Sequence, residues 1–268
     1  MTTDGVQVRA RYDAEMRRGA QPEGPGAVVE RAGQVVRHSA PGLGFNAVLW
    51  SDLTDQTADA AIAEQVAFFA GRGADEFEWK LYDHDGPADL GARLAAAGLV
   101  PEPPETLMVA RVADLTARSA DGGSPALPEG VTLVPVTDAA GVELMMAAHE
   151  AAFGESMPRL HHQVLTRLTE EPDTLAAVVA MAAGRPVSAA RIEMPAGASF
   201  AGLWGGGTAP EWRGRGIYRA LVAHRARIAA DRGIRYLQVD ASDQSRPILE
   251  RLGFEVLGVT TPYVWTAA

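Results

Sequence analysis

The chain reads as a mixed α/β protein built from two related domains. Three observations predict this. A segment recurs at a fixed spacing, strands alternate with helices, and a glycine-rich stretch stands where one strand feeds a helix. At roughly 100–200 residues per domain, 268 residues suit two domains of ordinary size.

The recurrence is the first observation, since a missed repeat misassigns a whole fold. Residues 60–73 read AAIAEQVAFFAGRG and residues 220–233 read ALVAHRARIAADRG. At an offset of 160 they share Ala60/Ala220, Ala63/Ala223, Ala70/Ala230, Arg72/Arg232 and Gly73/Gly233. Both have helical period and stop at a glycine, as helix C-termini do. A strand should follow each, Glu76 to Tyr82 and Arg235 to Asp240. A polar turn and a second helix come next, ending at Gly98-Leu99 and Gly253-Phe254. Ser119 to Pro125 is small, polar and aperiodic, which predicts a linker over 119–127. The domains expected are 1–118 and 128–268, each a mixed twisted sheet flanked by helices.

The second domain should open with a strand over Val131–Val136 and a helix from about Asp138 to Phe153. Val142, Met145, Met146 and Phe153 suit that helix's buried side. A polar stretch with His161 and His162 leads to another helix. Two strands follow, Leu175–Ala182 and Val187–Glu193, joined by Ala183-Gly-Arg-Pro186. A third runs from Ser199 to about Trp204. The last, Phe254 to Trp265, should be interrupted near Pro262, which lacks a backbone donor. Hairpins followed by a strand–helix–strand crossover suit an α/β or α+β layer.

Composition narrows the function. Hydrophobic residues are 47% and charged residues 22%, which suits a globular chain with a full core. The net charge of −10 argues against nucleic acid. There is no cysteine, so disulfides, cysteine–zinc sites and thiol nucleophiles are excluded, and a reducing compartment fits. No window approaches a membrane span. The charged start lacks a signal peptide's apolar core, so the expected address is the cytoplasm. Lys80 is the only lysine among 24 basic residues and reads as compositional bias, not chemistry. His161 and His162 have no carboxylate at ligand spacing, so no metal is expected.

The chemistry concentrates in Leu203-Trp-Gly-Gly-Gly-Thr-Ala-Pro-Glu-Trp-Arg-Gly-Arg-Gly-Ile-Tyr-Arg-Ala-Leu221. N–H groups at a helix start have no intrahelical partner, and the helix dipole adds positive character there. Glycines let a ligand reach the bare backbone. The segment therefore reads as a phosphate cradle with Arg213 and Arg215 as counter-charges. A nucleotide P-loop would need Lys and Ser/Thr after its second glycine, and neither is present. A dinucleotide fingerprint would need a third glycine where Arg219 stands.

The run PEWRGRGIYRALV resembles the acetyl-CoA motif R/Q-x-x-G-x-G/A of the GNAT superfamily of N-acetyltransferases, with Arg213 and Gly216 in its fixed places. Tyr218 departs from the family's small residue. Residues Ser242 to Phe254 resemble the second signature, N-x-x-A-x-x-L-Y-x-x-x-G-F, with Ser242 for Asn and Leu249 for Tyr. The resemblance covers about Pro128 to Trp265. It extends to the first domain only through the repeat, and residues 45–57 hold no equivalent glycine–arginine cradle, so that domain resembles a degenerate copy.

The resemblance implies that Arg213, Gly214, Arg215, Gly216, Ile217, Tyr218 and Arg219 hold the pyrophosphate of acetyl-CoA. Gly206, Gly207 and Thr208 would pair with the pantetheine, and Ser242 would meet its arm. The reaction implied is direct acetyl transfer to a small-molecule or peptide amine. Leu249 cannot protonate a thiolate, so Tyr263, or else Tyr218, would serve as acid, and Glu193 would relay a proton from the amine. Tyr218 and Leu249 leave a second reading open, a CoA-binding pseudoenzyme acting as sensor or partner.

Overall fold

The computed structural model describes residues 3–118 and 127–267. The proposed linker lies outside the described residues except for Leu127. The chain forms two compact units. One comprises Met1–Met108, Asp240–Asp243 and Val256–Ala268; the other comprises Val109–Val239 and Gln244–Glu255.

The first unit begins with helix α1 (Thr3–Tyr12), which continues as a π-helical stretch over Asp13–Arg18. A hairpin of β1 (Val28–Ala32) and β2 (Val35–Ser39) follows, then β3 (Ala47–Ser51). Helix α2 (Ala58–Gly71) crosses to β4 (Glu76–Tyr82), which lies parallel to β3. Helix α3 (Leu90–Ala96), the short β5 (Val100–Pro101) and β6 (Glu105–Arg111) complete this run. Phe69 of α2 stacks on Phe77 of β4 at 4.4 Å, and both are buried with Trp79, Leu90 and Leu94. The apolar period of α2 and the alternation in β4 point at one another here, which is why both elements form.

In the second unit α4 (Val112–Arg118) precedes β7 (Val131–Val136). Helix α5 (Ala139–Phe153) is capped by Asp138, whose carboxylate accepts from the Gly141 N–H at 2.8 Å. Helix α6 (Pro158–Glu170) leads to antiparallel β8 (Leu175–Ala182), β9 (Arg185–Glu193) and β10 (Phe200–Thr208). Helix α7 (Ile217–Asp231) crosses to β11 (Tyr236–Ala241), parallel to β10, and α8 (Arg246–Leu252) follows. The fold is mixed α/β, a twisted mixed sheet with helices on it. Both members of the sequence repeat fold as helix–strand–helix: α2–β4–α3 and α7–β11–α8.

Three expectations need correction. The last strand, β12 (Glu255–Thr266), was expected in the second domain, yet Val256–Ala268 belongs to the first unit. It pairs antiparallel with β4 from Thr260↔Tyr82 to Thr266↔Glu76. Nor is β12 broken at Pro262, because that residue's carbonyl accepts from the Glu102 N–H at 2.8 Å and holds the strand. Finally, β10 does not stop at Trp204 but runs through the glycines to Thr208, carried by its ladder to β9.

Candidate active site

Strand β10 has two different edges. Toward β9 its ladder continues to Thr208↔Ser188, with an irregularity between Trp204 and Gly207. Toward β11 the parallel ladder, among the described residues, covers Phe200–Gly202 alone. Beyond Gly202 no further pair with β11 forms among the described residues.

The glycines at the irregularity are each faced by a side chain. Gly205 has φ +59, a left-handed conformation that glycine adopts without strain. A Cβ there would lie 2.8 Å from the His149 ring and 3.0 Å from Arg191 Nη1. A Cβ at Gly206 would lie 2.8 Å from the Tyr218 ring, and one at Gly207 would lie 2.7 Å from the Phe153 ring. The Ser188 hydroxyl is 2.5 Å from the Gly207 carbonyl, to which it donates, and 2.9 Å from the Thr208 hydroxyl. These contacts hold the end of β10 rigidly.

After β10 a 3-10 turn over Pro210–Trp212 leads to the Arg213–Gly216 loop. Gly216 is the N-cap of α7 with φ +89, and no side chain caps the helix. The first-turn N–H groups of Ile217, Tyr218 and Arg219 thus face outward with the positive end of the helix dipole. Ile217 itself is buried with Leu221 and anchors that end in the core. An uncapped helix start of this kind can receive an anion.

The arginines are not placed as expected. Arg213 donates through Nε to the Thr208 carbonyl at 3.0 Å and through Nη2 to the Ala152 carbonyl at 2.9 Å. It therefore ties the loop to β10 and α5. Arg215 lies over the Trp212 ring, 4.7 Å from its centroid. Gly214, Arg215 and Arg219 are exposed.

Glu193 differs most from its expected role. It is bound by Arg191 Nε at 2.6 Å and by Arg167 Nη1 at 2.9 Å. Burial alone would raise its pKa, but the two guanidiniums outweigh that and hold it below the ordinary carboxylate range. A carboxylate so held is an anchor rather than a ready proton acceptor. Tyr263 and Ser242 both fall in the first unit. Tyr263 pairs with Trp79, and its hydroxyl sits over α3, where a Cβ on Gly91 would approach it to 2.5 Å. Ser242 is exposed beyond the end of β11. Leu249 is fully buried and packs as a core residue.

Two residues beside the glycines were given no role by the sequence reading. His149, on α5, is fully buried, and its Nε2–H donates to the Gly205 carbonyl at 2.8 Å. Burial pushes it down to about 4, so the ring is neutral. Its Nδ1 has no hydrogen-bond partner among the described residues. Arg225, on α7, is equally buried. A histidine and an arginine on the apolar faces of helices were the available signals. Among the described residues no cluster of His, Cys, Asp and Glu could hold a metal, and no helix is long and apolar enough to cross a membrane.

Fold and site together define a class: mixed-sheet α/β proteins in which an open strand edge and an uncapped helix start meet at a glycine loop. Residues 140–254 match the model of the acetyltransferase (GNAT) family. Solved structures extend the likeness of fold to nearly the whole chain. A GCN5-related N-acetyltransferase from Kribbella flavida is 18% identical, with a TM-score of 0.69 over 98% of this chain and 96% of that one. A functionally unknown conserved protein from Staphylococcus epidermidis is 13% identical, with a TM-score of 0.67 over 94% and 97%. A tandem GNAT protein from the clavulanic acid biosynthesis pathway is 15% identical, with a TM-score of 0.62 over 99% and 94%. No curated protein matches the sequence.

Proposed function

We propose that the second unit binds acetyl-CoA and that the chain transfers its acetyl group to the amine of a small molecule or peptide. The observation that carries this is the junction of β10 and α7, an open strand edge beside an uncapped helix start, inside the segment that matches the family model. The N–H groups from Ile217 to Arg219 would take the pyrophosphate, as helix starts take anions. Gly206, Gly207 and Thr208, beyond the ladder to β11, would take the pantetheine amides as an added strand. A backbone N–H on that edge would polarise the thioester carbonyl. Arg213 serves by fixing the loop, and Tyr218 and Phe153 wall the glycines on one side each.

The first unit is, on this reading, a copy without a cradle. The start of α2 carries Asp59, which Arg93 binds at 3.1 Å together with Asp55 at 3.5 Å and Asp89 at 2.9 Å. Negative charge at that helix start would disfavour a phosphate there.

Calorimetry with acetyl-CoA tests the proposal. Gly216→Val places a β-branched side chain at φ +89, where only glycine is unstrained, and should abolish measurable binding. Arg213→Ala loses two charge-assisted bonds that fix the loop, each worth roughly 1.5–3 kcal/mol, and should weaken binding at least tenfold. A folded Gly216→Val protein that binds acetyl-CoA like its parent would place the site elsewhere. Thiol release across a panel of amines then tests transfer itself.

A further inference from the structure

In the first unit, the face of β4 that turns away from the aromatic core is charged and yet covered. Alternation along β4 sends Phe77, Trp79 and Leu81 to that core and Glu76, Glu78, Lys80 and Tyr82 to the opposite face. The sheet order β4–β12–β6–β11 sets Pro262 and Val264 across from Lys80 and Glu78, with Glu105 on β6 and Asp240 on β11. Glu102, whose N–H bonds the Pro262 carbonyl at 2.8 Å, lies beside them. All of these residues belong to the first unit. Charged side chains on a sheet face are ordinarily solvated. Here the Lys80 side chain is 14% exposed and that of Asp240 1%. Glu78 and Glu105 are half-buried, and Glu102 is exposed.

The carboxylates of this face outnumber its cation. Lys80 is bonded to one oxygen of Asp240, and the other, Oδ1, is buried with no hydrogen-bond partner among the described residues. The Asp240 charge raises Glu78, Glu105, Tyr12 and Tyr82 alike, so the carboxylate stands among them. Burial raises Glu78 and pushes Glu105 up to about 7, Glu102 adds like charge to both, and Lys80 is the cation that lowers them. Among the described residues neither Glu78 nor Glu105 forms a salt bridge. Arg17, the guanidinium that acts on Tyr82, lies over its ring at 3.9 Å and is held by Asp13 and Asp85. The Tyr12 and Tyr82 hydroxyls are 3.0 Å apart, bond each other and stay protonated. Like charges gathered out of water are costly unless something positive comes between them.

A metal ion does not suit these carboxylates. A hard cation needs its oxygens within about 2–2.6 Å, and among the described residues no group of His, Cys, Asp and Glu could hold one. Carboxylates spread more widely suit a cation whose charge is carried on N–H donors, and an ammonium group offers three. Charge stands here at two depths, with Asp240 Oδ1 and Glu78 within and Glu102 at the exposed rim. We propose that the first unit binds a small aliphatic diamine as its dication, one ammonium on Asp240 Oδ1 and Glu78, the other toward Glu105 and Glu102. The site belongs to a different unit from the glycine loop and does not depend on acetyl transfer.

Calorimetry of the full chain with 1,4-diaminobutane, in the absence of acetyl-CoA, tests this. One site per chain is expected. Glu78→Gln keeps the side chain's shape and removes its charge, and should weaken binding about tenfold or more. Glu102→Gln, at the rim, should weaken it less. The parent alone supplies a second measurement that needs no folded variant. The diamine stays doubly charged between pH 6 and 8 while Glu105 ionises, so affinity should rise by about threefold or more as pH passes 7. In Glu105→Gln that rise should flatten. No binding by the parent, or an affinity that does not change with pH, overturns the proposal. So does binding that Glu78→Gln leaves intact and that high salt abolishes, which is the general attraction of an acidic chain for cations. Magnesium that binds the parent more tightly than the diamine and is lost in Glu78→Gln overturns the organic ligand in favour of a metal.

Discussion

Replacing Lys80 by methionine should destabilise the first unit severely and in a pH-dependent way. The Lys80 ammonium is bonded to Asp240, whose side chain is 1% exposed. The second carboxylate oxygen of Asp240 has no hydrogen-bond partner among the described residues. Methionine keeps the length of the side chain and deletes the charge, which leaves the carboxylate buried without its cation. Breaking a buried pair in this way costs about 3–5 kcal/mol. A drop of roughly 10 °C in Tm should follow. Burial already raises Glu78 and pushes Glu105 up to about 7, so these neighbours turn neutral more readily once Lys80 is gone.

The sign of the pH dependence is fixed by the same reasoning. Glu78 and Glu105 lie above their ordinary values through burial, and Lys80 is the charge that lowers both. What such raised groups contribute is fully present below the unfolded pKa and is lost as pH rises, the more so without Lys80. The penalty should therefore shrink as pH falls below 7. Urea and thermal unfolding at pH 5, 6 and 7 measure it. Adding Asp240→Leu to Lys80→Met should recover most of the loss, since an apolar pair tolerates burial. A loss under about 1 kcal/mol at pH 7, or one that does not change with pH, would refute the reasoning.

Two more outcomes are expected. Calorimetry should give one acetyl-CoA per chain, because Asp55 and Asp59 flank the start of α2, and two equivalent sites would remove the degenerate-copy reading. His84 lies 3.1 Å from Asp13 and 3.2 Å from Asp83, and the bond to Asp13 raises its pKa. Its contribution should be whole below pH 6.5 and fade as pH climbs past the raised value, so the Tm of the parent should fall there more than that of His84→Gln.

Much of the second unit was legible because its signals are local. The bounds of β7 and β8 follow from apolar runs between turn residues, and the Asp138 cap marks the start of α5. The glycine loop was legible because strand, proline, glycines and helix arrive in sequence. What failed was non-local. Nothing in Glu255–Thr266 says which half it joins, and the choice is made by seven cross-strand pairs with β4. Strand propensity stops β10 at its glycines, yet cross-strand bonds such as Ser188 to Gly207 carry it on. Glu193 reads in sequence as a proton relay because one of the arginines that hold it, Arg167, lies on a different element. Arg225 had no role assigned to it in the sequence, and it lies on the buried face of α7.

Lys80 shows how a repeat can conceal its own chemistry. The offset of 160 carries Lys80 onto Asp240, and the two side chains that share this position are bonded to each other in the first unit. On the tandem reading proposed above, the two positions once held the same residue. Two like charges in contact and out of water repel strongly, so an identical charged pair could not persist there. Such a position must become apolar in both copies or opposite in charge. This chain has taken the second course and spent its one lysine on it. A comparison of the two copies for identity scores this position as a mismatch, although its two side chains are bonded to each other.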